Sequence, residues 1–161
     1  MANKLEVIVD PNEPTIATRR TFNAPRELVW EAWTKPEHLK RWCGPDNLEW
    51  VVLDMDFRVG GKYRWVQRAP DGNEYAFHGE YREIVRPTKI VQTFIFEPMP
   101  DVVAIDTLTL EEHDGKTTCV TMTLHSSIEN RDAHFANGGM EVGMREGYDR
   151  LEKILAEQQR G

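Results

Sequence analysis

The sequence holds few side chains whose types and spacing suggest acid–base chemistry. His78 and His125 lie in strand-like segments, and a histidine next to a carboxylate can move a proton. The acidic residues that lie near apolar runs are Asp54, Asp56 and Glu83. Strand histidines are more often surface residues or hydrogen-bonded core groups, and side-chain alternation turns His78 away from Phe77 and Tyr81. A catalytic pair is therefore the weaker interpretation, and we assign no catalytic residue.

Motifs with an established catalytic mechanism are missing from the sequence. It has no HExxH, CxxC, GxSxG or phosphate-binding glycine loop, which argues against zinc hydrolysis, serine hydrolysis and nucleotide binding. Asp54-x-Asp56 is a weak metal signal, so we expect neither a metal nor a cofactor. Cys43 and Cys119 are far apart without metal-type spacing, which favours two free thiols, with Cys43 the more exposed.

Length, charge and hydropathy restrict the class of protein. The 161 residues fit one domain, 1–161, with a core over 15–158 and an N-terminal edge strand and turn over 1–14. A net charge of -7 and a pI near 5.3 argue against a nucleic-acid partner. Apolar runs stay well below the ~18 residues of a membrane span, and no signal peptide is evident, so we expect a cytoplasmic protein without membrane insertion.

Most of the chain has the composition of β-strands separated by turns. Pro70-Asp71-Gly72 and Asp114-Gly115 are hairpin signals, and Arg86-Pro87 indicates another turn. Short connections between strands predict an antiparallel meander, to which 5–9 and 15–22 add at one edge. The segments rich in β-branched and aromatic residues are 48–56, 62–68, 74–85, 89–97, 103–112 and 117–126.

Two short helices are predicted ahead of the meander. Pro25 suits the first turn of a helix, and Pro36 ends that helix and begins the next. Gly44-Pro45 would end the second helix. The apolar positions expected to face inward are Leu28, Val29, Ala32 and Trp33 in the first helix and Leu39 and Trp42 in the second.

A long amphipathic helix over 137–158 is predicted to cover the sheet. Its apolar side carries Met140, Met144, Tyr148, Leu151 and Leu155 at intervals of three and four residues. Gly143 and Gly147 lie beside the methionines, although a helical glycine costs up to about 1 kcal/mol relative to alanine. They either let another backbone approach closely or leave a void between helix and sheet. The sequence leaves both explanations open.

Five motifs occur in order along the chain. They are AP-x-ELVW-x-AWT-x-PE-x-L-x-RW-x-GP (24–45), D-x-R-x-GG-x-YR (56–64), PDG (70–72), HGEYREI (78–84) and GM-x-x-GM-x-x-GYDRLEKIL (139–155). Together they resemble the SRPBCC or START-like superfamily, and more narrowly the bacterial proteins named for similarity to the activator of the 90-kDa heat-shock protein's ATPase. This resemblance implies an α+β helix-grip fold, in which a curved antiparallel sheet wraps around a long C-terminal helix and two short helices close one end. It also implies an internal cavity that commonly holds apolar small molecules.

The chain departs from similar proteins at two positions. Gln67 stands where methionine is often found. If its side chain faces the cavity, a purely aliphatic ligand would leave the amide without hydrogen-bond partners. Cys43 replaces what is often a second tryptophan, which opens space beside Trp42 or exposes a thiol.

The superfamily includes carriers, receptors, cyclases and chaperone partners, so three functions stay open. The leading hypothesis is binding of a small apolar or aromatic molecule between sheet and helix. The second is a cyclase or dehydratase in which Tyr81, Gln67 or His125 moves a proton, and the third is a chaperone partner or homodimer. Candidate cavity residues are Trp42, Tyr63, Trp65, Gln67, Phe77, Tyr81, Phe94, Phe96, Leu108, Leu110, Met122, Leu124, Met140, Gly143, Met144, Gly147 and Tyr148.

Overall fold

The central element of the fold is one antiparallel sheet of eight strands. The computed structural model describes residues 4–43, 47–135 and 139–160. The strands are β1 (Glu6–Val9), β2 (Thr15–Phe22), β3 (Glu49–Met55), β4 (Lys62–Arg68), β5 (Glu74–Val85), β6 (Lys89–Phe96), β7 (Val103–His113) and β8 (Lys116–Leu124). Their order in the sheet is β1-β2-β8-β7-β6-β5-β4-β3. The predicted meander is confirmed, and the N-terminal strands do add at one edge.

Tight turns join the strands where the sequence predicts them. Gly72, between β4 and β5, has φ +88°, a backbone conformation that glycine adopts without strain. Asp114 and Gly115, between β7 and β8, have φ +52° and +77°, which is typical of a two-residue hairpin turn. The Arg86-Pro87 turn joins β5 and β6. These connections fix the register of the meander.

Two short helices follow β2. Helix α1 spans Arg26–Thr34 with Pro25 as its N-cap, and α2 spans Pro36–Trp42. Of the inner residues predicted for α1, Val29 and Ala32 are buried and Leu28 and Trp33 are partly buried against the core. The prediction missed Trp30, which is also buried. In α2, Leu39 and Trp42 are buried as predicted. The Gly44-Pro45 helix end lies outside the described residues.

Helix α3 (Ile128–Phe135) was not predicted. Its first turn is capped by Ser127, whose Oγ accepts a hydrogen bond from the backbone N–H of Asn130 at 3.0 Å. A serine three residues before an N–H that it binds is a standard N-cap. The segment carries too few apolar residues for helical periodicity to reveal it.

The long helix α4 spans Gly139–Arg160 and packs on the sheet through Tyr148, Leu151 and Leu155, which are 2% exposed or less. Its predicted inner residue Met140 lies outside the described side chains. The guanidinium of Arg150 donates to the carbonyl oxygen of Trp42 at 2.8 Å and thereby ties α4 to the end of α2. None of the described helices is both long and apolar enough to cross a membrane. The curved sheet, long C-terminal helix and short helices form a helix-grip fold.

Candidate functional site

A cavity of about 300 Å³ lies between the inner face of the sheet, the short helices and α4. Most of its wall is aromatic or aliphatic. Of the residues predicted to line a cavity, those that border this one are Trp42, Trp65, Gln67, Phe77, Tyr81, Phe94, Leu108, Gly143, Met144, Gly147 and Tyr148. Both glycines of α4 therefore border the cavity, on the side opposite the sheet.

Three predicted residues face inward but lie outside the cavity wall. Tyr63 is 2% exposed, packs on the rings of Trp65 and Tyr81, and donates its hydroxyl to the carbonyl of Thr93. Leu110 belongs to the core cluster. Phe96 packs on Phe77 at 5.2 Å between ring centroids. Tyr63 and Phe96 therefore contact residues of the cavity wall without bordering the cavity themselves.

The prediction is wrong for Met122 and Leu124. These side chains are 46% and 43% exposed, on the outer face of the sheet. Their neighbours Thr121 and Thr123 border the cavity instead. The sequence pattern places the aliphatic residues of β8 on the dry side of the sheet, but the structure places its threonines there. Their hydroxyls form hydrogen bonds inside: Thr121 pairs with Thr18, and Thr123 donates to Asp106.

A polar row crosses the cavity floor, and the sequence analysis missed it. Gln92, Asp106 and Thr123 pair in register across β6, β7 and β8 and all three border the cavity. The signal was present in the alternation of β7, because Asp106 has the same parity as the inward-facing Leu108. An isolated aspartate in an apolar strand gives no indication by itself that a cavity will surround it.

Other lining residues that the sequence analysis left out come mainly from the short helices, the first strands and the turn after β3. Trp33 lies beside Trp42, with 4.7 Å between ring centroids. Trp50 lies at 6.2 Å from Trp65 in an edge-on arrangement. The rest that bear on the shape of the wall are Ile16, Thr18, Cys43, Met55, Phe57 and Ile90.

The carboxyl group of Asp106 is the acidic group of the cavity. Burial raises its pKa from 3.8 to about 6, because the charged form loses hydration. The hydrogen bond from the Thr123 hydroxyl, at 2.7 Å, acts in the opposite direction and lowers this pKa. Near neutral pH the group is mostly a carboxylate that can also take up a proton.

The remaining titratable groups of the wall stay neutral. Burial raises the pKa of the Cys43 thiol to about 12, although the nearby Arg150 guanidinium lowers it. Burial also raises the pKa of Tyr81 and of Tyr148 above the ordinary tyrosine value. Both cysteines are free, and Cys119 is the more buried, as the sequence predicts.

Buried donors of the cavity wall that have no hydrogen-bond partner within the described part of the chain include the indole N–H of Trp65 and the hydroxyl of Tyr81. The amide of Gln67, by contrast, donates to the backbone carbonyl of Cys43 at 3.3 Å. Because a buried donor without a partner costs free energy, the wall is suited to a ligand with polar atoms.

The histidine–carboxylate pair suggested by the sequence is not part of this cavity. His78 Nδ1 lies 3.1 Å from Glu97 Oε2, which also accepts from Arg64 at 2.8 Å, and the three form a surface network on the outer face. His125 is buried but does not border the cavity, and desolvation lowers its pKa. Among the described residues, no group of three or more His, Cys, Asp or Glu side chains could hold a metal ion.

Solved structures share this fold over nearly their whole length. A protein from Rhodobacter sphaeroides matches with a TM-score of 0.86 at 24% identity, covering 95% of this chain and 99% of that one. A protein from Mycobacterium smegmatis matches with 0.83 at 24% identity, covering 98% and 99%. A protein from Arthrobacter aurescens gives 0.78 at 27% identity, covering 94% and 91%.

Sequence comparison gives the family. No curated protein sequence matches this chain significantly. Residues 23–156 match the family described as activator of Hsp90 ATPase homolog 1-like protein, and this segment includes both early helices, the meander and nearly all of α4. The chain therefore belongs to the activator of Hsp90 ATPase homolog 1-like family, which is of the SRPBCC type.

Proposed function

We propose that this protein binds a small apolar or aromatic molecule in the cavity between the sheet and α4. The observation that carries the proposal is the cavity of about 300 Å³ with a mostly aromatic and aliphatic wall. Pockets of this size and composition are typical of small-molecule sites. Family membership supports the proposal only in general terms, since the SRPBCC fold serves several functions.

Gly143 and Gly147 support the same proposal from the side of the helix. Both are buried and border the cavity, although each lowers the helical propensity of α4. A larger side chain at either position would compete with a ligand for the cavity. These glycines are therefore the positions at which to test it.

A matched titration tests the proposal. The neutral aromatic probe 2-naphthylmethanol is titrated by calorimetry into the wild type and into Gly143→Leu and Gly147→Leu. We expect the wild type to bind and each leucine variant to bind at least about tenfold more weakly, while circular dichroism shows an intact fold. Val142→Leu, on the exposed side of α4, is the control and should bind as the wild type does. Unchanged affinity in both glycine variants would contradict the proposal.

A second candidate function is an enzyme of the cyclase or dehydratase kind, and Asp106 is the observation that favours it. A carboxyl group with a pKa near 6 can donate or accept a proton close to neutral pH. The experiment is to incubate the protein with any molecule that copurifies and to follow its mass. Turnover that is lost in Asp106→Asn would favour the enzyme, and recovery of the molecule unchanged would favour a carrier.

The third function, interaction with a chaperone or a second copy of the chain, depends on the outer face of the sheet. Exposed apolar side chains, Met122, Leu124 and Val103, lie there on neighbouring strands. Sedimentation of the wild type and of Leu124→Glu tests for self-association through this face. A wild-type monomer at all concentrations would contradict a homodimer.

A further inference from the structure

We propose that the cavity selects an aromatic ligand that carries an ammonium group, with the carboxylate of Asp106 as the partner of that group. The inference rests on the proposed function and deepens it, because it names the chemical class of the ligand. Four features support it: the position of Asp106, its sparse hydrogen bonding, the absence of an opposite charge among the described lining residues, and the aromatic residues on the neighbouring strands.

Asp106 borders the cavity from the sheet side. It is on β7, between β6 and β8, and it pairs in register with Gln92 on one side and Thr123 on the other. All three residues border the cavity. Facing strand residues have Cβ atoms about 5 Å apart, so a group that contacts this carboxylate also comes within reach of the Gln92 amide. Asp106 is therefore placed to contact a ligand directly.

The carboxylate is poorly compensated by the protein. The hydroxyl of Thr123 donates to Asp106 Oδ1 at 2.7 Å, and this is the side-chain hydrogen bond that stabilises its charge. A carboxylate has capacity for about four hydrogen bonds, and removing it from water without partners is costly. A ligand that brings donors and positive charge to this point supplies what the protein does not.

The charge of the wall decides between ligand classes. Among the described lining residues, Asp106 is the one that carries a formal charge near neutral pH, and none is lysine, arginine or histidine. A carboxylate or phosphate ligand would meet a like charge without a compensating cation. An alcohol could satisfy one hydrogen bond, whereas an ammonium offers three donors and the opposite charge.

Aromatic residues border the cavity on the strands next to Asp106. Tyr81 pairs with Gln92 one strand further along, and Phe94 is two residues from Gln92 on the same face. Phe94 stacks on Phe77 with 5.0 Å between ring centroids. Aromatic rings attract cations within about 6 Å of their centroids, and they also pack on the aromatic part of a ligand. A carboxylate among such rings is a chemical match for an arylalkyl ammonium.

Three probes with one skeleton test the proposal. They are 2-naphthylmethylamine, 2-naphthylmethanol and 2-naphthylacetate, which present a cation, a neutral hydroxyl and an anion on the same ring system. Affinities are measured by calorimetry at pH 7.5 for the wild type, Asp106→Asn and Asp54→Asn. Asp54 is an exposed aspartate of β3, so its variant makes the same change of charge outside the cavity.

We expect the wild type to bind the amine at least about tenfold more tightly than the alcohol, and the acetate most weakly. Asp106→Asn should bring amine and alcohol to within about twofold of each other, while Asp54→Asn keeps the preference. A wild type that binds the alcohol as tightly as the amine, or an Asp106→Asn variant that keeps the preference, overturns the inference and leaves the proposed function standing. A wild type that binds none of the three probes overturns both.

A pH series on the wild type tests the inference without any variant. The groups that face Asp106 are Gln92 on β6, Thr123 on β8 and Tyr63 on β4. The other titratable groups that border the cavity are Tyr81 on β5, Tyr148 on α4 and the thiol of Cys43. Burial raises the pKa of all three tyrosines and of the thiol, so none of them ionises between pH 5 and 7.5. The affinity for the amine should therefore fall as Asp106 takes up a proton below pH 6, while that for the alcohol stays constant. An amine affinity that does not change over this range overturns the inference.

Discussion

Asp106 shows how one residue can tie stability to pH. Its neutral form is favoured in the folded protein, where its pKa is about 6, over the unfolded chain, where 3.8 is the ordinary value. The folded state therefore binds the proton more tightly than the unfolded state does. The stabilising contribution is complete below the unfolded pKa and is lost as pH rises through 6.

We therefore predict that Asp106→Asn gains stability relative to the wild type as pH rises from 4 to 7.5. Between these two pH values, the free energy of unfolding of the variant minus that of the wild type should rise by on the order of 2 kcal/mol. This figure follows from a pKa shift of about two units, reduced because the carboxyl group is partly exposed to the cavity. Urea unfolding at several pH values measures it, with Asp54→Asn as the control for loss of one charge. A difference that stays constant with pH would contradict the prediction.

Gly79 on β5 is a residue at which the structure leaves no room for a side chain. A Cβ there would collide with the carbonyl oxygen of Thr93 and would lie 2.7 Å from the hydroxyl of Tyr63. The missing side chain allows Tyr63 to reach across the strand and donate to that carbonyl. The ring that supports Trp65 and Tyr81 depends on this close approach.

Gly79→Ala should consequently lower the free energy of unfolding by about 1–3 kcal/mol, since either the strand or Tyr63 must shift. Glu80→Ala, an exposed neighbour on the same strand, should change it by about 0.5 kcal/mol or less. Chemical denaturation compares the two. Equal stability of both variants would show that the strand accommodates the extra methyl group.

Among elements, the attachment of α4 to the sheet depends on a buried cation. The side chain of Arg20 on β2 is 2% exposed and donates to Asp149 at 2.8 Å and to Glu152 at 3.1 Å, both on α4. Its guanidinium also lies 5.2 Å from the ring centroid of Phe22. The carboxylates lie at the solvent side of this contact, so the arginine is the partner that loses hydration.

Removing the two carboxylates should therefore lower the free energy of unfolding more than removing the arginine does. We predict that the double variant Asp149→Ala with Glu152→Ala loses about 2 kcal/mol, because it leaves a buried guanidinium without a counter-ion. Arg20→Met, of similar length, should lose about 1 kcal/mol or less. Glu157→Ala, exposed on the same helix, controls for loss of an acidic residue, and urea unfolding gives all four values. A double variant more stable than Arg20→Met would reverse this account.

Elements were easier to predict from sequence than the faces that they present. Residues 15–22, 62–68 and 74–85 form strands with the bounds that their composition and turn residues indicate. The inner face of β8 was misassigned because alternation alone cannot tell which side is dry when threonines bond inside. The lining contributed by Trp33 and Trp50 depends on sheet curvature and helix placement, which are tertiary properties. The role of the lining residues in binding stays a prediction.

For the whole molecule, the cavity should make unfolding sensitive to pressure. Unfolding eliminates internal voids, so its volume change is negative, typically about -20 to -100 mL/mol. We predict that Gly147→Leu, which places a large side chain at the cavity wall, makes this volume change smaller in magnitude than in the wild type. Pressure denaturation followed by fluorescence measures it, and Val142→Leu on the exposed side of α4 should leave it unchanged. Equal volume changes in all three proteins would contradict this prediction.

The distribution of tryptophan also gives the molecule an optical property. Of its five tryptophans, Trp33, Trp42, Trp50 and Trp65 border the cavity, whereas Trp30 lies in the core and does not border it. Any molecule that enters changes the surroundings of four of the five emitters at once. Occupancy of the interior can therefore be followed by the protein's own ultraviolet emission, without a label and at concentrations far below those that calorimetry requires.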